Sequence, residues 1–86
     1  MRTLIVSADE QHRALLRACA RPDTIVVGTP LDVIAQLEHD ELHIGTVVLT
    51  GRFAASPELA TFLREFYPSV EIVDGRSDVT YLPALA

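Results

Sequence analysis

The chain has 86 residues, enough for one small domain, and its 49% hydrophobic and 22% charged shares exclude a disordered or collagen-like polymer. The net charge is −5 and all 7 basic residues are arginine, which argues against a nucleic-acid or anionic-membrane partner; with no lysine, Schiff-base chemistry is excluded. The one cysteine, Cys19, excludes an internal disulfide and a cysteine zinc site, and suits a reducing cytoplasm.

Four short apolar runs rich in β-branched residues punctuate the chain: Leu4-Ile5-Val6, Thr24-Ile25-Val26-Val27, Thr46-Val47-Val48-Leu49 and Val70-Glu71-Ile72-Val73. The first three are continuous rather than alternating, the pattern of strands covered on both faces in a parallel sheet. Glu71 inside the fourth marks an edge or half-covered strand. After the first run, Ser7 and Glu10 have capping-box spacing, with Asp9 a competing cap, and Leu15, Leu16 and Cys19 mark one helical face with Ala8 and His12 behind it. Arg21-Pro22-Asp23 stops that helix. Gly28-Thr29-Pro30 supplies a turn, a cap and a proline at the first helical position, followed by a stripe of Val33, Ile34 and Leu37 with Leu31 beside it. Ser56-Pro57-Glu58 repeats the cap-then-proline start, and Leu59, Phe62, Leu63 and Phe66 follow at i, i+3, i+4, i+7 as a core stripe ended by Tyr67-Pro68. Strands alternating with helices predict right-handed crossovers and an open parallel α/β sheet. No segment approaches the ~18–20 apolar residues of a membrane span, Thr3–Val6 is too short for a signal-peptide core, and His39-Asp40-Glu41-Leu42 is internal, so it is no retention signal. The chain reads as soluble and cytoplasmic.

Leu4 to Leu16 is an apolar strand, an acidic pair, then a helix with Arg13 followed by leucines, and it resembles the opening of response-regulator receiver domains. Ile25 to Gly28 resembles the family's second strand, and Thr46 to Phe53 its third strand with the loop that follows. Leu59 to Pro68 is similar to the next helix, and Val70 to Gly75 to the fourth strand. The resemblance spans about residues 3–75 and implies a truncated receiver-like, flavodoxin-like three-layer sandwich: four parallel strands in the order 2-1-3-4 with helices on both faces. It also sets out where the family's machinery would stand. The two Mg²⁺-binding acids correspond to Ser7 and Ala8, with Asp9 one step late; the phosphoacceptor corresponds to Thr50, the hydroxyl after strand four to Asp74, and the lysine after strand five has no counterpart. The expectation is a degenerate domain that does not transfer phosphoryl groups, is not an enzyme and carries no cofactor.

In open α/β sheets ligands bind beyond the carboxyl ends of the strands. There Ser7, Thr29, Thr50, Arg52, Asp74 and Arg76 are candidates for an anion or small-ligand pocket, against the plain reading as turn and cap residues. His39 and His43 have a metal-compatible spacing, but HDELH matches no zinc motif and crosses from helix end to loop, so no metal is expected. Cys19 reads as a small buried hydrophobe, and Asp9 with Glu10 as helix-start carboxylates. Arg13, Arg17 and Arg21 form a basic ridge suited to solvent or to an acidic partner.

Residues 1–75 are expected to form the domain and residues 76–86 a tail packed on it or on a second subunit. With no fifth strand or final helix, strand four becomes an edge and one sheet face is covered by the first helix alone, a template for pairing. Arg13, Arg17, Val70, Ile72, Val79, Tyr81, Leu82 and Leu85 are the candidate interface residues. The expected function is a phosphorylation-independent protein–protein interaction module, self-associating as a homodimer. The alternative is an anion- or small-ligand-binding domain.

Overall fold

The computed structural model describes residues 1–19 and 21–74. Its elements are β1 Arg2–Val6, α1 Glu10–Cys19, β2 Thr24–Val27, α2 Pro30–Asp40, a 3₁₀ turn Glu41–His43, β3 Ile44–Leu49, α3 Arg52–Ala55, α4 Pro57–Phe66 and β4 Glu71–Asp74. The four strands pair in parallel in the order β2-β1-β3-β4. The expected α/β class, strand order and two-sided helix cover are all present, and the arrangement is that of a small flavodoxin-like fold. No helix among the described residues is long and apolar enough to cross a membrane.

Strand alternation divides the core in two. Leu4, Val6, Val27, Val47 and Leu49 face one way and pack with Val33 and Leu37 of α2 and Leu63 of α4, together with Ile44, Tyr67 and Val70. Ile5, Val26 and Val48 face the other way and meet Leu16 of α1, with Val73 beside them. The continuous β-branched runs follow from this: both faces of β1 and β3 are buried.

The differences from the sequence expectations are local. β3 begins at Ile44, two residues earlier than expected, because Gly45 is an extra residue between the pairs Arg2–Ile44 and Thr3–Thr46. That bulge hides Ile44 from a strand pattern, and a Cβ on Gly45 would lie 3.0 Å from the Met1 Cβ. β4 begins at Glu71, and Val70 before it is core. Residues 52–55, expected as loop, form α3 after Gly51 turns the chain at φ +56°. Asp9, not Ser7, caps α1: its Oδ1 accepts from the Gln11 and His12 amides at 2.8 and 3.2 Å. The Thr29 cap is as expected, its hydroxyl accepting from the Asp32 amide at 3.2 Å, whereas Ser56 makes no side-chain cap bond.

Two apolar stripes are narrower than their spacing predicts. On α1 only Leu16 is buried, while Leu15 and Cys19 are exposed, so Cys19 is not the buried hydrophobe expected. Among the described residues α1 is the helix on that face, and Leu16 is the side chain it buries there. On α4, Leu63 is buried and Leu59 and Ala60 are half-buried, but Phe62 and Phe66 are 36% and 61% exposed. The buried arc is rotated toward α2, where Tyr67 completes it by donating its hydroxyl to Glu38 Oε1 at 2.6 Å. This bond to a carboxylate is the main cause that pushes the Tyr67 phenol up to about 12.

The rotated arc predicts a contrast within one helix. Leu63→Ala should cost about 2–5 kcal/mol in urea unfolding, and Phe66→Ala no more than about 0.5 kcal/mol. Equal losses would place Phe66 in the core and contradict this packing.

Candidate functional site

The carboxyl ends of β1, β2 and β3 bring together Ser7, His12, Arg13, Gly28, Thr29 and Thr50. Ser7 and Thr50 are the two buried polar side chains among the described residues, 2% and 3% exposed. Both hydroxyls are held within the fold. Thr50 donates to the Val6 carbonyl at 2.6 Å, and the Ser7 Oγ shares a 2.7 Å hydrogen bond with His12 Nδ1. Arg13 Nη1 donates to the Ser7 carbonyl at 2.8 Å, and its guanidinium lies on Gly28, where an added Cβ would fall 2.9 Å from Nη1. One helical turn further on, Arg17 Nη2 donates to the Val26 carbonyl of β2 at 3.2 Å. No buried side-chain polar atom is left without a hydrogen bond among the described residues.

The expected pocket residues thus have different fates. Ser7 and Thr50 are neighbours at the strand ends but turn inward, and Thr29 is committed to its cap. Arg52 is exposed, with its guanidinium 5.4 Å from the Phe53 ring centre. Asp74 ends β4 opposite Leu49 of β3. Arg76, Val79, Tyr81, Leu82, Leu85 and the 76–86 tail lie outside the described residues. Of the candidate interface residues, Arg13 and Arg17 are tied to backbone carbonyls, Val70 is buried and Ile72 half-buried.

His12 and Arg13 were not recognised from sequence as members of this cluster. The available signal was their position in the first turn after the strand, where helical side chains lean back toward the amino end and so over Ser7, the residue that follows β1. Chemically, the cluster closes the strand ends: a hydroxyl and two guanidinium groups donate to backbone carbonyls, and the His12 imidazole holds the Ser7 hydroxyl.

A second charged cluster sits at the amino ends of the strands. Asp40 at the end of α2 pairs with Arg2 at 2.9 Å and with His43 of the 3₁₀ turn. With Met1 and Asp23 these residues line an open cleft of about 450 Å³. His39 and His43 stand on different elements, and no metal-holding group of His, Cys, Asp and Glu occurs among the described residues. The hydrogen bond to His43 does most to hold the Asp40 carboxyl below its usual range, helped by the charges of His43, Arg2 and His39 and opposed by desolvation. Comparison with known families, curated proteins and solved structures returns no match to this chain.

Two outcomes test these clusters. Gly28→Ala should cost about 1 kcal/mol by displacing Arg13, and less once Arg13 is already alanine; strict additivity would contradict the contact. Because Asp40 has a depressed pKa, its contribution is full above the ordinary value of 3.8 and fades as pH falls through the depressed one. Asp40→Asn should therefore lose stability less steeply than the native chain on acidification in that range, and identical slopes would contradict the pairing.

Proposed function

We propose that this chain is a phosphorylation-independent, receiver-like protein–protein interaction module of bacterial signalling or regulation. On this reading it is cytoplasmic, without enzymatic activity or cofactor, and forms a homodimer. The observation that carries the reading is the state of two residues. Where receivers have Mg²⁺-binding and phosphoacceptor acids, this chain has Ser7, Ala8 and Thr50, and the Ser7 and Thr50 hydroxyls are bonded inward. A carboxylate is needed both to hold the hard cation and to form an acyl phosphate. The alternative, an anion-binding pocket, is weakened on the same ground, since Ser7 and Thr50 already spend their hydroxyls inside the fold.

Support for self-association comes from the α1 side. There Leu15 of α1 is left 53% exposed. A second copy covering this face would bury it symmetrically.

Incubation with acetyl phosphate and Mg²⁺ should leave the intact mass unchanged; a stoichiometric gain of about 80 Da would overturn the reading. Light scattering after size exclusion at micromolar concentration should give about twice the 9.4 kDa chain mass. A monodisperse 9.4 kDa species would remove the dimer.

A further inference from the structure

We propose that the outer stripe of α4, Glu58, Phe62, Glu65 and Phe66, docks a basic amphipathic segment of another protein, one that presents bulky apolar side chains flanked by arginine or lysine. The inference rests on the interaction-module reading and names the chemistry of one partner.

The four residues fall at i, i+4, i+7 and i+8, which places them on one line of the helix. Tyr67 reaches Glu38 on α2, so the aromatic stripe is turned away from α2. The Phe62 and Phe66 rings already pack together, with centroids 4.6 Å apart and planes tilted by 34°, and so form a preset apolar platform. Neither Glu58 nor Glu65 has a hydrogen bond or ion pair among the described residues, and both are exposed. The contrast with α1 is direct: of the three arginines that looked available to an acidic partner, two are engaged, Arg13 with the Ser7 carbonyl and Arg17 with that of Val26. On α4, by contrast, the charge beside the exposed rings is acidic and has no partner among the described residues.

Charge complementarity selects the occupant. A two-fold contact between copies would press Glu58 and Glu65 against their own equivalents, on chains that each carry −5. A segment with flanking positive charge pairs with that rim while its apolar side chains cover the two rings, the amphipathic-helix mode of recognition.

The test titrates the full ¹⁵N-labelled chain with two short helical peptides, one of leucine and arginine and one with glutamate in place of arginine. The arginine peptide should shift amides centred on residues 57–66, more weakly as salt is raised. Its affinity should fall at least about tenfold in Phe66→Ala and in the Glu58→Gln/Glu65→Gln double variant. No shifts on α4, equal binding of the glutamate peptide, or undiminished binding by Phe66→Ala would overturn the proposal. So would a dimer that Phe66→Ala dissolves, because it would assign the stripe to a second copy. The acetyl-phosphate and light-scattering outcomes above do not involve α4, so failure here is distinguishable from failure of the interaction-module reading.

Discussion

The hydrogen bond from the Thr50 hydroxyl to the Val6 carbonyl joins the ends of the two central strands inside the protein. A parallel sheet leaves carbonyls at its carboxyl rim, and a buried carbonyl without a partner costs about 1–3 kcal/mol. Here the Val6 carbonyl accepts from the Thr50 amide at 3.3 Å as well as from its hydroxyl, and arginines reach two more carbonyls, Arg13 that of Ser7 and Arg17 that of Val26. The first turn of α1 supplies one of those donors and Gly28 makes room for it, so the loops after β1, β2 and β3 are held by one connected set of bonds.

The same constraint bears on what the protein does. A rim closed by neutral hydroxyls and engaged arginines offers little to a cation or a transferred phosphoryl group, which is why we place its role in contacts with other proteins. The groups left outward are of another kind. They are two paired phenylalanines on α4 with glutamates beside them. On this account the domain acts through its helices.

Much of the fold was legible because burial on both faces leaves a direct trace. Four β-branched runs separated by capped helices specify a parallel sheet, and Thr29 with Pro30 marks the start of α2. The misses have physical causes. Gly45 bulges out of β3, so the strand's true start carried no pattern. The stripe on α4 met the core on one flank only, because Tyr67 turns toward Glu38, and hydrophobic spacing cannot reveal that rotation. At the candidate site, Ser7 and Thr50 do lie side by side at the strand ends, but residue type does not tell whether a hydroxyl points to solvent or to a carbonyl. Ser7 satisfies the capping-box spacing and still hands the cap to Asp9, because its own hydroxyl is taken by His12.

The most direct measurement is the urea stability of Thr50→Val beside Thr50→Ser. Valine matches threonine in shape and is more apolar, so at a site 3% exposed it should stabilise unless the hydroxyl bonds within the fold. The account predicts a loss of about 1 kcal/mol for Thr50→Val, with Thr50→Ser retaining the bond to Val6. A Thr50→Val chain as stable as the native one, or more stable, would contradict it.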